Sequence, residues 1–311
     1  MRNPIIYARE DNRKNAINMN RREAINTGLL GLAATQVPGM TSMLSGSNKK
    51  ESTMDSKAPF QHSVCKWCFN DLPLEAMAEK VKDMGITSIE LVGVNDWAVL
   101  KKYGMTCAIG NAPFISLTDG FNEVNNHAKY HSMFPELLQK AADAGIPNII
   151  VFSGNRRGKS DVEGMENCAK GLEPIVKQAE KLGVTLVMEL LNSKVNHKDY
   201  QCDHTEWGVQ LLEKVGNTNL KLLYDIYHMQ IMEGDVIATI KKHNKYFGHY
   251  HTAGVPGRHE IDESQELNYP AIMKAIAATG YKGFVAQEFI PVAQDKLGSL
   301  RKAVEICDVT A

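Results

Sequence analysis

From residue 60 onward, short apolar runs alternate with segments in which apolar residues recur every three or four positions. The runs at 148–152 and 184–188 are almost continuously apolar, which is typical of strands buried on both faces of a parallel sheet. The predicted strands are residues 62–68, 86–92, 105–110, 147–153, 184–189, 220–225, 246–251 and 283–288.

Helical periodicity fills the intervals between these strands. In segment 72–84 the apolar side chains have helical spacing, and Gly85 follows, which predicts an amphipathic helix that ends at a glycine. The same joint of helix, glycine and strand recurs at Gly145, Gly183, Gly216 and Gly280. Eight such units predict an α/β protein with a single (β/α)8 TIM barrel over residues 60–311. A doubly wound sheet is the alternative, but no G-x-G-x-x-G motif follows the first strand.

The first 59 residues have a different character. They contain 9 of the 35 basic residues but only 5 of the 36 acidic ones, which leaves 26 basic and 31 acidic residues for the rest of the 311-residue chain. Arg21-Arg22 precedes a short apolar run at 27–35 and a polar stretch at 42–53. This order predicts a twin-arginine export signal and a linker, and hence a periplasmic protein. A disordered tail on a cytoplasmic protein is the alternative, and Met19 is an alternative start.

Composition narrows the functional classes. No stretch reaches the roughly 20 apolar residues that a membrane span needs. The acidic balance of residues 60–311 argues against nucleic-acid binding, which favours a basic surface. We therefore expect a small-molecule substrate as partner, and a homo-oligomer is compatible with the sequence. Cys65 and Cys68 stand three apart on a predicted strand, so we expect buried apolar roles for them and no paired redox or zinc site.

Four successive predicted strands each end in a side chain that can bind a divalent cation. These side chains are Glu189, Asp225, His251 and Glu288. In a (β/α)8 barrel the carboxyl ends of the strands form the active site. Three carboxylates would repel one another there without a cation. Oxygen-rich sites with one nitrogen favour Mn²⁺ or Mg²⁺, with Co²⁺ and Zn²⁺ as alternatives. The sequence therefore predicts one divalent metal ion at this mouth of the barrel.

Several segments resemble one known family. The sequence Tyr-Asp-Ile-Tyr-His-Met-Gln-Ile-Met-Glu-Gly at 224–234 is similar, nearly residue for residue, to a motif of the hydroxypyruvate isomerase family. That family is part of the xylose-isomerase-like TIM-barrel superfamily of sugar isomerases and epimerases. Residues 248–260, 266–269 and 283–288 also resemble it, whereas the first third of the barrel resembles it more weakly.

The resemblance implies an activity and a site. It implies Glu189, Asp225, His251 and Glu288 as metal ligands, with the two glutamates also acting as the catalytic acid/base pair. It further implies that His228 and Arg258 contact the substrate. The implied reaction is an aldose–ketose isomerisation through an enediolate, with hydroxypyruvate converted to tartronate semialdehyde. A cation would stabilise the enediolate charge, and two carboxylates would move protons between neighbouring carbons.

Other interpretations remain. His251 is the choice found in epimerases of the superfamily, which favours a ketose 3-epimerase as the second candidate; an abasic-site endonuclease and a non-catalytic sugar-binding protein are weaker ones. Leu190-Leu191 replaces the usual Pro-Ile after Glu189. Arg156 and Arg157 after the fourth strand could bind an acidic or phosphorylated group, or lie in a solvated loop. Trp67 and Phe114 could wall the pocket or pack in the core.

Overall fold

Eight parallel strands surround a common axis, with helices outside them, in the computed structural model, which describes residues 56–310. The strands are β1 (Gln61–Cys65), β2 (Ile86–Glu90), β3 (Ile109–Gly110), β4 (Asn148–Val151), β5 (Thr185–Glu189), β6 (Leu220–Asp225), β7 (Phe247–Thr252) and β8 (Phe284–Gln287). The α-helices are α1 (Leu74–Lys82), α2 (Val94–Lys102), α3 (His127–Ala144), α4 (Asp161–Leu182), α5 (Thr205–Val215), α6 (Ile226–Met232), α7 (Val236–His243), α8 (Tyr269–Ala278) and α9 (Lys296–Cys307). The predicted TIM barrel is confirmed.

The ring of strands is completed between β2 and β3. All eight strands pair in the order β2-β1-β8-β7-β6-β5-β4-β3. Single parallel bridges from Ser88 to Thr106 and from Val92 to Gly110 join the two ends of this order. Strand β3 is shorter than the predicted 105–110. The Ala108 N–H donates to the Ser88 hydroxyl at 2.8 Å, and this side-chain bond takes the place of a bond between strands.

The apolar core has two parts. The large part lies between the strands and the helices, and a small separate group consists of Ile109, Ile150, Val187 and Leu223. Val187 and Leu223 each stand two residues before a carboxylate that ends the strand. Because side chains two apart on a strand share a face, the small apolar group lies beneath the site residues of β5 and β6.

The predicted joints between helix and strand are confirmed. Helices α3 and α4 end at Gly145 and Gly183, which adopt φ of 73° and 68°. Glycine reaches this left-handed region without the steric cost that a side chain would add. The chain can therefore leave each helix and enter the next strand within a few residues.

The described fold begins at Ser56, before the predicted boundary at residue 60. One oxygen of Asp308, just after α9, accepts hydrogen bonds from the Ser56 hydroxyl at 2.9 Å and from the N–H groups of Lys57 and Ala58 at 2.8 and 2.9 Å. The same oxygen lies 3.5 Å from Nε2 of the buried His62. The predicted export signal lies outside the described residues and stays a prediction. Within residues 56–310, no helix is long and apolar enough to cross a membrane.

We expect Asp308→Ala to lower the free energy of unfolding by about 1–3 kcal/mol, because it leaves several N–H and O–H groups without their acceptor. Hydrogen bonds hold the folded-state pKa of Asp308 below its usual value, although burial opposes them. Its stabilisation is therefore present above the unfolded pKa and is lost as pH falls through the folded pKa.

Urea unfolding at pH 7 and pH 4 measures both effects. The matched control is Glu305→Ala on the exposed side of α9, which should change little. An unchanged midpoint in Asp308→Ala would show that the contact with residues 56–58 adds nothing to stability.

Candidate active site

The four predicted ligands meet at the carboxyl end of the barrel. Glu189 and Asp225 end β5 and β6, His251 is the last residue but one of β7, and Glu288 follows β8. All four residues are buried, with exposed fractions between 0 and 5%. One ligand atom from each lies within 4.8 Å of those of the others. Residues that are far apart in sequence thus form one compact set of three carboxylates and one imidazole.

Each oxygen of Asp225 has its own role. Oδ1 accepts the N–H of His228 at 3.1 Å and so caps the first turn of α6. Oδ2 faces the other site residues, 3.3 Å from the Arg258 guanidinium. Because the helix cap fixes the carboxylate plane, Oδ2 is held towards the cluster.

Arg258 is the main positive partner of these carboxylates. Its guanidinium donates to Glu288 and to Asp225. The aromatic rings of Trp67 and Tyr227 lie 5.2 and 5.4 Å from its central carbon, within cation–π distance. The Trp67 indole also donates to Glu288 Oε1 at 2.9 Å. Trp67 therefore belongs to the site and orients both members of an ion pair.

The surroundings shift the pKa values of the three carboxylates in different directions. Burial, together with repulsion from neighbouring carboxylates, raises the pKa of Asp225 to about 8 and also raises the pKa of Glu189. Burial opposes ionisation of Glu288 as well, but the positive charges of Arg258 and His251 outweigh it and hold the Glu288 pKa well below its usual range. The positive groups of the protein thus offset the negative charge of Glu288 well, but they offset the charges of Glu189 and Asp225 poorly. The donor set and its uncompensated charge fit a divalent cation.

His228 lies in the first turn of α6, beside Asp225. It is fully buried, and its Nε2 is 3.6 Å from Asp225 Oδ2. Burial and the nearby Arg258 charge lower the pKa of His228 well below its usual value. Both effects favour the neutral imidazole.

A cavity of about 300 Å³ opens above the cluster. Its lining combines polar or charged groups with apolar side chains. The lining residues are Trp67, Asn111, Glu189, His197, Arg258, Glu288, Leu91, Leu117, Ile150, Phe152 and Leu191. Both glutamates predicted as the acid/base pair reach this cavity. Its volume suits a small molecule.

Glu90 is a site residue that the sequence reasoning missed. It ends β2, is fully buried, and lies 2.8 Å from Nε2 of His251 and 3.0 Å from Nε2 of His249. The predicted strand continued past it to residue 92 because Leu91 and Val92 are apolar. In the structure Leu91 adopts a φ of 58°, which ends the strand at Glu90. A fourth acidic strand end was therefore the available signal.

Glu90 and the metal-ligand cluster contact opposite ring nitrogens of His251. Nε2 donates to Glu90, while Nδ1 faces the cluster, 2.8 Å from Glu288 and 3.6 Å from Glu189. Burial opposes ionisation of Glu90, but the adjacent imidazoles of His249 and His251 outweigh it and lower the pKa of Glu90 to about 2. Glu90 is thus a charged acceptor for Nε2, and a bound cation would replace the proton that lies between Nδ1 and Glu288.

The two arginines that follow the fourth strand form ion pairs within the protein. Arg156 pairs with Asp161 and, at 3.0 Å, with Asp203, and Arg157 pairs with Asp119 at 2.7 Å. These carboxylates neutralise both arginines, so the expectation that they bind an acidic substrate group has no support in the structure.

Phe114 packs away from the pocket, whereas the Cys65 thiol lies beside the site, 3.8 Å from Nε2 of His251. Phe114 packs edge-on against Phe134, with ring centroids 5.0 Å apart, and does not line the cavity. Cys65 and Cys68 are buried free thiols, with Cys65 on β1 and Cys68 in a 3₁₀ turn at Lys66–Phe69.

Comparison with known proteins places this geometry in context. The family model described as "Xylose isomerase-like TIM barrel" matches residues 78–305. The chain is 38% identical to the 2-oxo-tetronate isomerase of Cupriavidus necator over 55% of its own length and 65% of that protein. It is 33% identical to the hydroxypyruvate isomerase of Escherichia coli over 42% of its own length and 57% of that protein. The matches thus span less than two thirds of either relative.

A solved structure shares the fold. The crystal structure titled "AP endonuclease, family 2" from Brucella melitensis superposes with a TM-score of 0.70 and covers 78% of this chain and 97% of its own. At 24% sequence identity, this likeness bears on the fold alone.

We expect Glu90→Leu to weaken the binding of Mn²⁺ by about 10- to 100-fold, the usual effect of losing a group that orients a histidine ligand. Glu90→Gln retains an acceptor oxygen for His251 Nε2 and should lose less. Isothermal titration of the metal-free protein with Mn²⁺ measures both affinities.

Glu79→Leu on the exposed side of α1 is the control for the loss of a carboxylate elsewhere. Wild-type affinity in a folded Glu90→Leu protein would show that His251 needs no acceptor on Nε2.

Proposed function

Because the chain belongs to the xylose isomerase-like TIM barrel family, we propose that it is a metal-dependent isomerase of a small hydroxy-carbonyl compound. The reaction passes through an enediolate, and the reference reaction is the conversion of hydroxypyruvate to tartronate semialdehyde. Two relatives named as isomerases of small oxo acids support this class. The observation that carries the proposal is that the Glu189 and Glu288 carboxylates line one small cavity.

The residues divide the work as follows. Glu189, Asp225, His251 and Glu288 hold the divalent cation, with Mn²⁺ or Mg²⁺ favoured over Co²⁺ or Zn²⁺ by the oxygen-rich donor set. When bound, the cation supplies positive charge that stabilises an enediolate. One of the two glutamates removes the proton α to the carbonyl, and the other returns a proton to the neighbouring carbon.

The remaining groups bind and shield the substrate. Arg258 is held near Glu288 by Trp67 and Tyr227, so its guanidinium is positioned to bind a substrate oxygen. The apolar side chains in the cavity lining, among them Leu91, Ile150 and Phe152, exclude water from the reacting carbons. Exclusion of water strengthens electrostatic interactions inside the site.

A ketose 3-epimerase is the second candidate. The specific observation in its favour is His251 in the third ligand position, the residue that superfamily epimerases have there. Both reactions need the same two proton-transfer groups. Product analysis by NMR separates them, because isomerisation moves the carbonyl group whereas 3-epimerisation inverts one carbon and leaves the carbonyl in place.

We expect the full chain, loaded with Mn²⁺ or Mg²⁺, to convert hydroxypyruvate or a small ketose into an isomer and to exchange one C–H proton with solvent deuterium. Glu189→Gln and Glu288→Gln should each lower turnover by about 10²- to 10⁴-fold, because each removes one acid/base group. Chelation of the metal should abolish turnover. NMR in D₂O reports product formation and exchange together.

Glu136→Gln on the exposed surface of α3 is the matched control. Wild-type turnover in either site variant with metal still bound would refute the assigned roles. Binding of a ketose without proton exchange would instead favour a non-catalytic sugar-binding protein.

A further inference from the structure

A buried amide beside the site has every hydrogen-bonding position filled. Asn192 stands three residues after Glu189 and is fully buried. Its Oδ1 accepts the backbone N–H groups of Val195 at 3.1 Å and Asn196 at 2.9 Å. Because a backbone N–H can only donate, these two bonds fix which end of the amide is the oxygen.

The amide nitrogen must then face the opposite way. Nδ2 of Asn192 lies 2.8 Å from Asn196 Oδ1 and 2.6 Å from Nδ1 of His228. The Tyr227 hydroxyl donates to the same Asn196 oxygen at 2.9 Å. An amide nitrogen offers only hydrogens, so Nδ1 of His228 has to be the acceptor. In a neutral imidazole the proton then resides on Nε2.

The Nε2–H of His228 has no hydrogen-bond partner among residues 56–310. The carboxylate oxygen Asp225 Oδ2 is 3.6 Å away, which is too long for a hydrogen bond. Buried polar groups nearly always have a partner. A fully buried donor without one, next to the metal-ligand cluster, points to a bond that forms only when substrate is present.

We propose that Asn192 is a positioning residue that holds His228 as the neutral Nε2–H tautomer, so that His228 donates a hydrogen bond to a substrate oxygen and takes no part as a base.

The carboxylates and His228 then have separate roles in the reaction. Proton transfer from carbon falls to the carboxylates, while His228 stabilises an oxygen whose negative charge grows as the enediolate forms. A fixed donor of this kind stabilises the transition state more than the ground state. It also selects substrates that present an acceptor oxygen, either carbonyl or hydroxyl, beside Asp225. This catalytic part rests on the proposed function, whereas the tautomer itself does not.

The tautomer can be measured on the wild-type protein without substrate. In protein labelled with ¹⁵N-histidine and loaded with diamagnetic Mg²⁺, His228 should show a protonated Nε2 and an unprotonated Nδ1 at pH 7. The signal is identified by its loss in His228→Gln. An Nδ1–H tautomer or an imidazolium would overturn the proposal, whether or not the enzyme turns over any tested substrate.

Asn192→Asp tests the catalytic consequence. An aspartate of the same shape can still accept the N–H groups of Val195 and Asn196, but its second oxygen can only accept from His228, which forces a proton onto Nδ1. We expect the ¹⁵N signals to report that change and kcat to fall by about 10²- to 10³-fold, as when one transition-state donor is lost, with a smaller change in KM.

Two comparisons separate this effect from a merely structural role. Asn125→Asp, in an exposed turn, makes the same chemical change elsewhere and should leave kcat unaltered. In His228→Gln the side-chain amide donates regardless of Asn192, so adding Asn192→Asp should cost little there. Additive losses in this double-mutant cycle would contradict the proposal, as would an unchanged kcat in Asn192→Asp.

Discussion

The structure of the site depends on the burial of three carboxylates within a few ångströms of one another. Glu189, Asp225 and Glu288 are all at least 95% buried, and burial makes each negative charge costly. Arg258 and His251 offset part of that cost, chiefly at Glu288. The negative charge that remains uncompensated makes the cluster suitable for a divalent cation and unsuitable as part of an apolar core.

The surrounding residues hold the positive partners of this cluster in place. Trp67 and Tyr227 flank the Arg258 guanidinium, and Glu90 fixes the ring of His251 from the far side. None of these three residues offers an atom to the four-residue ligand cluster. Their effect is to leave Arg258 and His251 few other orientations. Such pre-organisation allows a site to stabilise charge without rearranging during the reaction.

Pre-organisation also applies to His228, the uncharged donor of the site. Burial and the neighbouring Arg258 favour a neutral His228, and in the proposed tautomer the position of its proton follows from the amide of Asn192 and the turn that fixes this amide. Two imidazoles in one site thus receive opposite assignments: Nε2 of His251 is used by the protein, whereas Nε2 of His228 is free for a ligand. Only their hydrogen-bond partners distinguish them.

The strands and the residues that end them are the features that the sequence predicts best. The eight strands, the left-handed glycine joints and the positions of Glu189, Asp225, His251 and Glu288 follow from local patterns, because the pleat of a strand and the end of a helix depend on near neighbours in sequence. Glu90 was missed because two apolar residues continued the strand pattern beyond it, and only the backbone conformation of Leu91 ends the strand there.

The sequence by itself determined the barrel and which residues stand at its mouth. Only the tertiary structure decided which buried group pairs with which. Glu90 and His251 are 161 residues apart in the chain, and Asn192 and His228 are 36 apart. Arg156 and Arg157, which look free in the sequence, are neutralised by carboxylates from other loops. Such pairings arise when the ring of strands closes and burial makes an unpaired polar group costly, a condition that no local pattern encodes.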